Sequence, residues 1–139
     1  MQTIMCAVDE SPGACEAVSV AAGLSKDLRV RLVLAHVVDG GRLTNGVRVD
    51  SVQAQEQGRR LLERVALEHG LENAADRRAE VGDRVSELTR IAGEEAAMVI
   101  VVGARGRYRR LGGRLSRLSA ELRSIAPCPV LIVLPRPRR

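Results

Sequence analysis

The sequence has almost no aromatic residues: no Trp, no Phe, and one tyrosine, Tyr108. A core without rings has to be filled by Val, Leu, Ile and Ala. A single-strand nucleic-acid surface that stacks bases on aromatic side chains is excluded as well. Long apolar runs are also missing. None approaches the ~20 residues of a membrane helix, so no membrane partner is expected. The opening stretch MQTIMCAVDE is short and ends in acids, which is not the form of a signal peptide, and the expected location is cytoplasmic. The three cysteines, Cys6, Cys15 and Cys128, lack metal spacing. Their apolar neighbours predict buried, reduced thiols, without disulfide or metal. Acid is nearly absent from one end of the chain. Residues 104–139 hold ten arginines and one acid, Glu121, a balance of +9, whereas residues 1–103 hold 12 basic and 16 acidic side chains, a balance of −4. That asymmetry fits either an anionic partner or a solvated basic face.

What is present is a chain of 139 residues, 45% apolar. That length predicts one domain over 1–139, with a short Arg/Pro-rich tail at 135–139. Thr3–Val8 reads as a strand. Ser11 and Pro12 read as the N-cap and first position of a helix carrying Ala14, Ala17, Val18, Ala21 and Leu24 at helical spacing. Arg29–Asp39 is a second strand, its centre continuously apolar and so expected to be buried on both faces. GGRLTNGVRVD reads as a loop. Ser51–Glu68 is helical, with Val52, Leu61, Leu62 and Val65 expected to face inward. Arg77–Gly82 is a weak strand, and Asp83 caps a helix bearing Val85, Leu88, Ile91 and Ala92. Ala97–Gly103 is a strong strand. A helix from about Ser116 to Ile125 and a last strand between Pro129 and Pro135 complete the chain.

Five strands alternating with helices predict an α/β fold, a doubly wound parallel sheet with helices on both faces. The prolines around the last strand mark it as a sheet edge. An uncharged apolar edge needs a cover. A homodimer paired through Val130, Leu131, Ile132 and Val133 would supply one.

In such sheets ligands bind beyond the carboxyl ends of the strands, where the strand order reverses. Asp9 follows the first strand. Gly103 and Gly106, in GARG, follow the fourth. Glycine allows close approach of backbone to phosphate, and the next helix start would aim N–H groups at the anion. A carboxylate across the crevice can accept from a base amine or a ribose hydroxyl. His36, inside an apolar strand, reads as a satisfied core histidine. His69, at a helix end, suits the helix dipole.

The stretches IMCAVDESPGACEAV, LVLAHVVD, VGDRVSEL, MVIVVGARG and APCPVLIV occur in the order and spacing of the universal stress protein family, and the chain resembles that family over nearly its whole length. The resemblance implies strand order 3-2-1-4-5, which sets the first and fourth strands side by side, and homodimers joined by the last strand. One branch of the family binds ATP through Gly-x2-Gly-x9-Gly-Ser/Thr. Gly103 and Gly106 match its first half. Ser116 and Arg117 stand where the third glycine and the hydroxyl residue are expected, so that half is degenerate. Asp9 and the backbone of Val37 match adenine contacts. Three readings follow from this pattern. The first is a stress-response module binding ATP (with Mg) or AMP. The second is a family member without nucleotide that acts through protein contacts. The third is a nucleic-acid or other polyanion binder through the arginine-rich region. Catalysis beyond slow ATP hydrolysis is not expected, because no general base stands beside the glycine turn.

Overall fold

The structure is a computed structural model and describes residues 2–10, 13–39, 43–44, 47–48, 50–104 and 117–134. Ser11, Pro12, Gly106, Ser116, the loop arginines and the tail from Pro135 lie outside the described residues, as does the side chain of Arg117.

Eleven elements follow one another: β1 (Thr3–Ala7), α1 (Gly13–Leu28), β2 (Arg31–Asp39), β3 (Leu43–Thr44), β4 (Val47–Arg48), α2 (Ser51–Glu68), β5 (Ala75–Gly82), α3 (Arg84–Glu94), β6 (Ala97–Gly103), α4 (Arg117–Ile125) and β7 (Val130–Val133). Five strands form one parallel sheet in the order β5-β2-β1-β6-β7. Counted among sheet strands alone, this is the expected order 3-2-1-4-5. β3 and β4 form a separate antiparallel hairpin inside the stretch expected to be a loop. Asn45 and Gly46, which join its two pairs, are the hairpin signal that the loop reading passed over.

The alternation of side chains along the strands divides the core in two. Ile4, Cys6, Leu32, Leu34 and Val101 pack with Ala17, Val18, Ala21, Leu62 and Ala66 of α1 and α2. Met5, Ala35, Val37, Ile100 and Val102 pack with Leu88, Ile91 and Leu122 of α3 and α4. Each central strand is therefore buried on both sides, which is why its sequence runs apolar without interruption. α1 meets the sheet through small residues, and its first turn comes closest. A Cβ on Gly13 would lie 2.5 Å from the carbonyl oxygen of Ala104.

Helix ends are set by local chemistry. Asp50 accepts from the Val52 N–H at 2.9 Å and caps α2. Asp83 accepts from the Ser86 N–H at 3.0 Å and caps α3. α1 ends where Arg29 turns to φ 55° and Val30 donates back to Ser25. This left-handed turn explains why β2 begins at Arg31 rather than Arg29. Two side-chain expectations are corrected. Val52 is 76% exposed, because the inward stripe of α2 runs through Ala54, Gly58, Leu61, Leu62 and Val65. Cys15 is exposed, since it falls outside the Ala14–Ala17–Val18 stripe of α1, while Cys6 is buried.

The two sheet edges differ in chemistry. On the β5 side, Arg31 pairs with Asp76 and Glu95, and Arg78 with Glu80, Glu94 and Glu95, at 2.5–3.3 Å. Arg90 of α3 adds pairs to Glu87 and Glu94. The β7 side presents Leu131 and Leu134, both exposed.

Candidate functional site

The strand order reverses between β1 and β6, and a crevice opens there. Its lining comes from five elements: Asp9 after β1, Val37 on β2, Arg84 and Leu88 on α3, Gly103 on β6, and Leu118 and Ser119 on α4, with Ala7, Ala35 and Val102 in its floor. Of the residues read from the sequence, Asp9, Val37 and Gly103 are brought together. Arg117 opens α4 at the same rim. Gly106 and Ser116 lie outside the described residues.

Strand geometry explains what Val37 offers. In a parallel ladder successive residues bond to alternate neighbours. The Val8 N–H donates to the Ala35 carbonyl at 2.7 Å, so Ala35 addresses β1, and Val37 faces the same way. The last β1–β2 pair is Ala7 with Ala35, whereas β2 continues along β5 as far as Asp39. The N–H and C=O of Val37 therefore face the gap that β1 leaves. One donor and one acceptor side by side can read the edge of a base.

Asp9 stands above the end of β1. The Cys6 thiol is pushed up to about 12, first by its complete burial and then by the charge of Asp9. Cys6 is thus an inert part of the core. His36 is half-buried on the α2 side of β2. Its Nδ1 lies 2.7 Å from the Val8 carbonyl oxygen. A carbonyl only accepts, so Nδ1–H donates. This is the bonded histidine that the apolar strand suggested, although it also borders the crevice.

Gly103 needs its bare Cα for a reason the sequence did not show. A Cβ there would lie 2.6 Å from the Gly13 carbonyl oxygen. Its glycine is required by the approach of α1, independently of any phosphate. The next amide, Ala104 N–H, is already committed to the Val133 carbonyl at 2.8 Å.

The enclosed part of the crevice holds only about 30 Å³. A second hollow of about 290 Å³ adjoins it on the α2 side, lined by Glu10, Val38, Asp39, Gln57, Gly58 and Leu61. Asp9, His36 and Arg84 border both spaces. Gly58 keeps α2 close to this wall, since a Cβ there would meet the His36 ring at 3.3 Å. The sequence reading passed over Arg84 and Leu88 as site residues. The signal available was Asp83: a helix capped immediately after a strand sets its first turn at the carboxyl rim. Among the described residues no group of three or more His, Cys, Asp or Glu is placed to hold a metal, and no helix is long and apolar enough to cross a membrane.

The sequence model of the Universal stress protein family matches residues 1–133. Solved structures share the fold across almost the whole chain. A universal stress protein in complex with cAMP is 23% identical with a TM-score of 0.70, over 95% of this chain and 96% of that one. A universal stress protein family member from Burkholderia pseudomallei is 28% identical with a TM-score of 0.71, over 94% of both chains. The universal stress protein from Archaeoglobus fulgidus in complex with dAMP is 21% identical with a TM-score of 0.65, over 95% of this chain and 97% of that one. No curated protein matches the chain.

Proposed function

Because the chain belongs to the universal stress protein family, we propose that it is a nucleotide-binding stress-response module that takes an adenine nucleotide, AMP or ATP, at the β1–β6 switch point. One observation carries the reading: the free-facing main chain of Val37 and the carboxylate of Asp9 stand together where β1 ends. Val37 supplies a donor and an acceptor to the base edge, and Asp9 accepts from the base amine or the ribose. Gly103, Gly106, Ser116 and Arg117 form the phosphate side, with Arg117 replacing a hydroxyl donor by a permanent cation. Mg accompanies ATP if the triphosphate is the ligand. Relatives bound to cAMP and dAMP support this class of ligand. The narrow enclosed volume implies that the base lies across the rim, reaching towards the hollow beside α2, rather than sinking between α3 and α4.

The proposed working form is a cytoplasmic homodimer of a single-domain chain, paired through Val130–Val133 of β7. Support comes from the contrast between an ion-paired β5 edge and an apolar β7 edge. A second reading, a family member acting through protein contacts without nucleotide, is favoured by the Ala104 N–H, which the Val133 carbonyl already occupies.

The test is to denature the purified protein and identify released nucleotide by mass spectrometry, alongside thermal shifts with AMP and Mg-ATP. A ligand at a hundred times its Kd stabilises by about 2.7 kcal/mol. Released nucleotide or a concentration-dependent shift supports the first reading. Neither, at millimolar ligand, leaves the second.

A further inference from the structure

We propose that Arg84 is the residue that holds the base end of the bound nucleotide. This rests on the nucleotide reading above and assigns a ligand contact to a residue outside the glycine motif.

Arg84 is the described cation that lines the crevice, and it also lines the adjoining hollow. It is half-buried. Other arginines of the β5–α3 region are engaged: Arg31 with Asp76, Arg78 with Glu94, Arg90 with Glu87, and Arg77 with the carbonyls of Glu72 and Ala75. Among the described residues Arg84 has no ion pair and no hydrogen bond to its guanidinium. The nearest carboxylate in sequence, Asp83, is engaged in capping the Ser86 N–H.

Its position adds to the cost. Arg84 is the first residue of α3, where the helix dipole is positive and a cation is disfavoured. A half-buried, unpaired guanidinium at that end weakens the unliganded fold. A ligand with acceptor atoms at the rim would reverse that balance. A purine supplies them through its ring nitrogens, and its flat face can also lie against the planar guanidinium. Asp9, which only accepts when ionised, and Arg84, which only donates, border the same two spaces. Together they match a base that carries both an amine and ring nitrogens. Gly103, Leu118 and Ser119 line the crevice but not the hollow beside α2, whereas Arg84 lines both, which sets Arg84 with the base rather than the phosphate.

Calorimetric titration of the full chain with AMP and with adenosine tests this, in wild type, Arg84→Ala and Arg84→Lys, with the melting temperature of each unliganded protein. The expected result is a loss of at least tenfold in affinity for AMP and a similar loss for adenosine in Arg84→Ala. Arg84→Lys restores little of it, and the unliganded melting temperature of Arg84→Ala is unchanged or higher. Unchanged AMP affinity overturns the assignment and leaves the nucleotide reading standing. A loss for AMP but none for adenosine moves Arg84 to the phosphate and overturns the base-end contact. A loss accompanied by a lower unliganded melting temperature in both variants makes Arg84 a structural residue. If wild type binds neither compound at millimolar concentration, the nucleotide reading falls first and the Arg84 contact with it.

Discussion

Gly103 and Gly13 meet backbone to backbone: a side chain on Gly103 would place its first carbon 2.6 Å from the Gly13 carbonyl oxygen. The start of α1 and the end of β6 are thereby locked together at the rim of the crevice. Gly103→Ala forces one of the two segments to move, at a cost of about 1–3 kcal/mol. Gly13→Ala meets the Ala104 carbonyl at 2.5 Å and is expected to cost a similar amount. Because both substitutions relieve themselves by the same movement, the double variant should lose less than the sum. Urea denaturation of the four proteins measures this. Strict additivity would show that the contact is not shared.

Cys6 makes stability sensitive to alkali. Its thiol is pushed up to about 12 in the folded protein, from 9.0, mainly by burial. The contribution is complete below the unfolded value and declines as pH rises through the window from about 9 towards 12, because the unfolded thiol ionises first. Cys6→Ala should flatten that alkaline slope even though the cavity it creates lowers stability at neutral pH. A thiol reagent at pH 8 should leave Cys6 unmodified until the protein is denatured. Labelling of Cys6 in the native state would contradict its burial.

The cap of α3 works in the opposite sense. Asp83 has its carboxyl held below the usual range, chiefly by the Ser86 backbone N–H. A lowered folded value gives stability that is present above the unfolded pKa and is lost as pH falls through the folded one. Asp83→Ala should therefore melt earlier than wild type at pH 7, with the difference closing as the pH drops below 4. Asp83→Asn, which still accepts but carries no charge, should recover only part of the loss at pH 7. A gap that persists at pH 2 would mean that the carboxylate's charge is not the source.

The β7 edge offers the test of assembly. Leu131 is 39% exposed on the last strand. If the chain pairs there, Leu131→Glu should shift its sedimentation from dimer to monomer at micromolar concentration, with the fold retained by circular dichroism. A dimer that survives Leu131→Glu would place the interface elsewhere.

The fold was legible because its signals are regular. Ser51–Glu68 and Ala97–Gly103 have the limits that periodicity and apolar run length suggested. Asp83 was readable as a cap because Asp before a helical stripe has few other uses. Misreadings came where a local feature was weighed alone. Val52 looked inward because it is apolar, yet it lies off the buried stripe that begins at Ala54. The site was half legible. Asp9 and Gly103 follow strands and could be placed by topology. Arg84 could not, because its meaning lies in what fails to pair with it, and pairing is set by tertiary placement. Gly103 illustrates the opposite error. A glycine in a phosphate-like motif has two possible employers, and only the meeting with Gly13 identifies the one at work in the fold itself.

The ion pairs along β5 have a consequence for how many copies can join. A sheet with two open, similar edges can recruit strands without end, the route to fibres. Here the β5 edge strand carries Asp76, Arg78 and Glu80 in ion pairs, and charge on an edge strand discourages the addition of another. The proposed dimer uses the β7 flank, where Leu131 and Leu134 are exposed. If the chain pairs there, growth by strand addition is a single step that uses up its own starting point, with charge guarding the opposite edge.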